Sequence, residues 1–209
     1  MFLGFSLTLD SCRKDPCDSV NCKNGGTCID GTCDCPEGYS GTECDTYDPC
    51  TNITCLNGGT CANGTCNCPT GYSGSDCGTE LTPTSVIITG ITVNDYPMTD
   101  GGAGWDLSSG PELYVSLNSG TTANTSDFTT GYYQDVSGQS LTFSSDFPVT
   151  IPSPSSSYTV GLWDYDTVDA DDFMAGIYFT PNSYKSGFPS TITLSTSSME
   201  VVMSVTWNF

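Results

Sequence analysis

The sequence predicts a mostly β protein: two small disulfide-rich modules followed by one antiparallel, eight-stranded β-sandwich. Three observations carry this. All 13 cysteines lie in the first 77 of the 209 residues. From Cys17 onward they fall into two copies of one spacing. After them the chain has no cysteine and consists of short segments rich in Val, Ile, Thr, Tyr and Phe, separated by Gly, Ser, Pro and Asp turns, with no helical period.

Composition removes several function classes first. The formal net charge is −20, with Arg13, Lys14, Lys23 and Lys185 as the only basic residues. Phosphate binding needs clustered Lys and Arg, so nucleic acid is excluded as a partner, and the acidic balance favours divalent cations. There is no histidine. That removes histidine-based nucleophile pairs, general bases and zinc sites together. Cysteines at this density imply an oxidising compartment outside the cytosol.

The first cysteine set is Cys17, Cys22, Cys28, Cys33, Cys35 and Cys44; the second is Cys50, Cys55, Cys61, Cys66, Cys68 and Cys77. Intervening lengths are 4, 5, 4, 1 and 8 in both, and the period is 33 residues. Large aliphatic side chains are nearly absent, so bridges must hold these modules, each contributing ~2–4 kcal/mol. Spacing alone leaves fifteen connectivities open for six cysteines. The "NGGTC" and "CPxGYxGxxC" motifs resemble epidermal-growth-factor-like (EGF-like) repeats over residues 15–78. That resemblance implies bridges Cys17–Cys28, Cys22–Cys33 and Cys35–Cys44, then Cys50–Cys61, Cys55–Cys66 and Cys68–Cys77. Asp15-Pro16 and Asp48-Pro49 stand where calcium-binding members carry Glu before the first cysteine, so both repeats read as spacers that do not bind calcium.

Cys12 is left over. It follows a short apolar segment ending Leu9-Asp10-Ser11-Cys12, which resembles the lipobox of bacterial lipoproteins. The resemblance implies a lipid anchor at Cys12 and, in a bacterium, an outer-membrane lipoprotein. The expected organisation is a signal remnant and tether at 1–14, EGF-like repeats at 15–46 and 47–78, a linker at 79–84 and the sandwich at 85–209.

Expected strands are "VIITGITV", "ELYVSL", "TGYYQDV", "SLTFSSDF", "YTVGLWDYD", "MAGIYFT", "STITLS" and "MEVVMSVTWNF". One stretch, "GLWDYDTVDADDFMAG", holds Asp164, Asp166, Asp169, Asp171 and Asp172 with no basic residue among them. Crowded carboxylates repel, so either a solvated loop holds them apart or a cation belongs there. Asp106 and Glu112 sit at a second strand–loop–strand junction. Two acidic loops at one end of a sandwich could enclose calcium with carboxylate oxygens.

This constellation resembles the synaptotagmin-like C2 sandwich. Asp106-x5-Glu112-x-Tyr114-Val115 is similar to one of that family's calcium loops, and Asp164-Tyr165-Asp166-x5-Asp172 to the other. The implied Ca2+ ligands are Asp106, Glu112, Asp164, Asp166 and Asp172, with Asp169 outermost. An EF-hand begun at Asp164 fails, since it needs Gly at Asp169 and Glu at Ala175.

The expected function is non-enzymatic: an extracellular or cell-surface, calcium-dependent binding or adhesion protein on a rigid stalk, with a protein or glycan ligand. Two alternatives stand beside it, a surface protein in which calcium only rigidifies loops and a calcium-dependent membrane-docking module. A carboxylate enzyme is the weakest class, because the acids fall where the resembled family places ligands. Basic residues that would favour an anionic bilayer are missing, as Lys185 is the only one after residue 23.

Overall fold

The computed structural model describes residues 14–102, 104–105, 110–125, 127–167 and 170–209. Cys12, Asp106 and Asp169 lie outside the described residues, so the expected anchor and two of the expected calcium ligands carry no structural account. The chain divides into two compact units, Met1–Glu80 and Leu81–Phe209. No described helix is long and apolar enough to cross a membrane.

In the first unit β1 (Thr27–Ile29) pairs with β2 (Thr32–Asp34), and β3 (Tyr39–Ser40) with β4 (Thr46–Tyr47). The second repeat builds β5 (Thr60–Ala62), β6 (Thr65–Asn67), β7 (Tyr72–Ser73) and β8 (Thr79–Glu80) in the same pairing. Asp30-Gly31 and Asn63-Gly64 make the two larger turns, all four residues at positive φ, as a two-residue hairpin turn of this hand requires. Cys17 bonds to Cys28, Cys22 to Cys33, Cys35 to Cys44, Cys50 to Cys61, Cys55 to Cys66 and Cys68 to Cys77, the pairs that the resemblance implies. The buried apolar residues of this unit, among those described, are Cys44, Cys66 and Cys77. Sulfur is its core.

The motif residues have mechanical reasons. A Cβ on Gly26 would lie 2.7 Å from Cys44 Sγ, and on Gly59 2.8 Å from Cys77 Sγ, so the second glycine of each "NGG" admits the bridge. Asn24 and Asn57 donate from Nδ2 to the carbonyls of Cys44 and Cys77, both at 2.8 Å. Asp15 and Asp48 accept the N–H of Cys17 and Cys50 at 2.9 Å, which uses these carboxylates to close local turns.

The second unit is built from β9 (Ser85–Asp95), β10 (Leu113–Ser119), β11 (Phe128–Thr129), β12 (Leu141–Phe143), β13 (Val149–Ile151), β14 (Tyr158–Asp164), β15 (Asp172–Phe179), β16 (Thr191–Ser195) and β17 (Glu200–Asn208). One antiparallel sheet has the order β11-β10-β14-β15; the other has β12-β9-β17-β16, with β13 also on β9. Their facing sides form one apolar core, including Val86, Ile88, Ile91, Val93, Leu113, Val115, Leu162 and Met203.

Strict alternation along β9 would place Val86 and Ile88 inward but Ile91 and Val93 outward. A bulge corrects this: β17 pairs Ser204 with Gly90 and Val205 with Ile88, leaving Thr89 as the extra residue. All four apolar side chains then face the core.

Among the described residues the sandwich has nine strands where eight were expected: one expected segment is missing, and β11 and β13 are additional. Residues 130–136 are not a strand; only Tyr133 makes an isolated bridge, to Leu113. Tyr132 and Tyr133 are both partly exposed, so neither supplies the buried face a strand there would need. Conversely, Val149–Ile151 pairs with β9 although it is only three residues long.

Topology fixes where the acids go. Ser85 pairs with Asn208, and Val86 with Ile151. Ile151, Ser119 and Tyr158 line one cavity of about 290 Å³, so β10 stops and β14 starts at this end of the sandwich. Glu112 before β10, Asp164 closing β14 and Asp172 opening β15 therefore lie at the opposite end.

Candidate functional site

Asp164 continues the inward-facing series Tyr158, Val160 and Leu162 to the rim of the core, where it is 1% exposed. Its Oδ1 accepts the Glu112 N–H at 2.7 Å, and the Glu112 carbonyl accepts the Tyr165 N–H at 3.0 Å. Asp172 is its register partner across β14 and β15. The strand ends at Asp164, so Asp166 lies in the following loop rather than in the strand, as the sequence had suggested. There its N–H donates to Asp171 Oδ1 at 3.2 Å.

The structure thus brings Glu112, Asp164, Asp166 and Asp172 to one end of one sheet. Among the described residues, no group of three or more His, Cys, Asp or Glu side chains stands close enough to hold a metal ion. The donor chemistry suits a hard cation. The described carboxylates alone do not complete its shell.

Sequence reasoning passed over Asp171 as a site residue. Its Oδ2 accepts the Tyr114 hydroxyl at 2.7 Å, fixing the acidic loop to the outer face of β10. Burial first, then the hydrogen bond to Asp171 and its negative charge, holds the Tyr114 phenol above its ordinary pKa. No local pattern marks Asp171, because its partner lies 57 positions away.

An aromatic wall supports this corner. Trp163 lies nearly parallel to Tyr114, with ring centroids 6.4 Å apart, and donates from Nε1 to Ser116 Oγ at 2.8 Å. Phe173 packs edge-on against it at 5.1 Å. Gly161 leaves the space, because a Cβ there would come within 2.7 Å of Ser116 Oγ and 2.9 Å of Trp163 Nε1. Tyr165, next to Asp164, stacks on Tyr132 at 4.6 Å. A cleft of about 370 Å³ opens between these rings and Asp171.

Taken together, the chain carries two disulfide-cored EGF-like repeats and an antiparallel sandwich with an acidic end. The family described as Human growth factor-like EGF matches residues 22–39 and 55–72. No curated protein matches the chain. Among solved structures, the chain is similar to human GIVD cytosolic phospholipase A2 in complex with methyl gamma-linolenyl fluorophosphonate: 17% identity and TM-score 0.43, covering 59% of this chain but only 17% of that one. It is also similar to the calcium-bound pair of C2 domains, A and B, of Extended-Synaptotagmin 2, at 14% identity and TM-score 0.42, covering 60% of this chain and 46% of that one. The corresponding first C2 domain, domain A, of plant Extended Synaptotagmin 1 is similar at 11% identity and TM-score 0.41, covering 61% of this chain and 97% of that domain.

Proposed function

We propose that this is an extracellular, calcium-dependent binding protein in which the acidic end of the sandwich takes calcium and the EGF-like repeats act as a spacer. The observation that carries the reading is the gathering of Glu112, Asp164, Asp166 and Asp172 at one sheet end in a unit whose only basic residue is Lys185. Lys185 follows the turn Pro181–Tyr184, beyond the far end of β15 from Asp172, a strand length of about 23 Å. Lys185 thus stands a strand length from Asp172, and a divalent ion suits the gathered carboxylates. Asp106 and Asp169 are the proposed additional ligands. The partner is a protein or glycan, since the surroundings lack the basic residues that favour an anionic bilayer.

Calorimetry and thermal melting with calcium or chelator test this. A dissociation constant on the order of 0.1–1 mM is expected for an extracellular module. At a hundredfold excess over that constant, stabilisation is about 2.7 kcal/mol. Asp166→Asn keeps shape, removes a charge and should abolish most of the shift. No heat and no change in melting temperature at millimolar calcium would leave a solvated acidic turn.

A further inference from the structure

The outer surface holds a second feature, on the far side of the Tyr114–Asp171 hydrogen bond. The cleft of about 370 Å³ is walled by Tyr114, Tyr132, Tyr165 and Asp171. Tyr132 is also a wall of a neighbouring cleft of about 290 Å³, with Tyr133, Ser145 and Asp146. Among the described residues, each cleft is lined by one aspartate and no basic residue. Tyr132 and Tyr133 are 45% and 41% exposed, so part of each side chain meets solvent, although one face of Tyr132 is covered by Tyr165 and the Tyr133 ring packs against Phe143.

Both carboxylates are held in place. Asp171 accepts from the Tyr114 hydroxyl and the Asp166 N–H; Asp146 Oδ2 accepts from the Gly131 N–H and the Ser145 hydroxyl, both at 3.2 Å. A carboxylate offers about four acceptor positions, so these bonds orient each group and leave acceptor capacity. An oriented carboxylate beside a part-exposed tyrosine matches a guanidinium or ammonium, which pairs with the acid while its apolar stem packs against the aromatic side chain. The net charge of −20 draws such a group in from a distance.

We propose that the two clefts meeting at Tyr132 receive two basic side chains from an extended segment of a partner protein, one beside Asp171 and one beside Asp146. Alternate residues of an extended chain project to one side about 7 Å apart, enough to straddle a tyrosine ring. A basic-x-basic segment is the matching sequence. The inference names the partner class left open by the calcium reading but does not need calcium. The two fail separately, one by an unmoved melting temperature and the other by absent peptide binding.

Acetyl-Arg-Gly-Arg-amide titrated into the full chain, followed by amide chemical shifts with calcium and with chelator, tests it. Saturable shifts at Gly131, Tyr132 and Ser145 are expected under at least one condition. The citrulline analogue, equal in shape but uncharged, should bind at least tenfold more weakly. Tyr132→Ala leaves the protein's charge unchanged, so its loss of binding separates cleft recognition from diffuse attraction. Asp146→Asn, on an exposed turn, should weaken binding several-fold and serves if Tyr132→Ala does not fold. Equal binding by citrulline peptide, by Tyr132→Ala or by Asp146→Asn overturns the proposal. So does Tyr132-dependent binding of an uncharged oligosaccharide without binding of the peptide.

Discussion

Tyr114 links the inner and outer chemistry of the acidic corner: its ring packs beside Trp163 while its hydroxyl holds Asp171. In the unfolded chain a phenol ionises near pH 10; in the fold, burial and the Asp171 charge keep the proton on. The raised folded pKa fixes the sign. The contribution is complete below about pH 10 and is lost as pH rises from there through the folded value. Tyr114→Phe should therefore cost about 1.5–3 kcal/mol at neutral pH, the range for a hydrogen bond to a charged group, yet flatten the fall in stability above pH 10. Melting temperatures of both proteins between pH 8 and pH 11 check this; parallel curves would remove Tyr114 from the account. Residues of this kind were half legible. Asp164, Asp166 and Asp172 stood out by charge and offset, whereas Asp171 matters through a partner 57 positions away, a pairing that no local pattern carries.

At the scale of the element, what could be read depended on length and on covalent order. The repeats were plain because cysteine spacing reports topology directly. Of the strands, β9, β14 and β17 were legible from runs of Val, Ile and Thr, but Val149–Ile151 is too short to show a period and 130–136 mimics a strand through two adjacent tyrosines. The bulge in β9 was hidden, since "VIITGITV" reads as a continuous run whether or not Thr89 is extra. It supports a sharp comparison. Deleting Thr89 removes the bulged residue and keeps Val86, Ile88, Ile91 and Val93 facing inward. Deleting Thr92 turns Val93 outward, a loss of about 1.5–3 kcal/mol for that side chain before any repacking. The first protein should retain a cooperative melt at a higher temperature than the second. Equal destabilisation would mean that the bulge does more than set the phase.

For the whole molecule, two units with different sources of stability imply two independent failures. All six disulfides lie in Met1–Glu80, while the sandwich unit holds its own apolar core and all three tryptophans, Trp105, Trp163 and Trp207. Tryptophan fluorescence therefore reports the sandwich alone. Full reduction should make the repeats protease-sensitive and leave the tryptophan melting transition where it was; a transition that moves with reductant would show the sandwich leaning on the bridges. The arrangement also has a mechanical consequence. Ser85 begins β9 at one end of the sandwich, and the acidic loops lie at the other. A ligand held at that tip while the linker is pulled would put tension along β9, which is hydrogen-bonded on both flanks by β17, β12 and β13. Ladder bonds run across the strands, so such a load meets them side by side, in shear, instead of unzipping them one after another. In the repeats, bridges spanning 9 or 11 positions cap how far each loop can pay out. Loads on the two units are thus borne differently, by ladder bonds in the sandwich and by covalent bridges in the repeats.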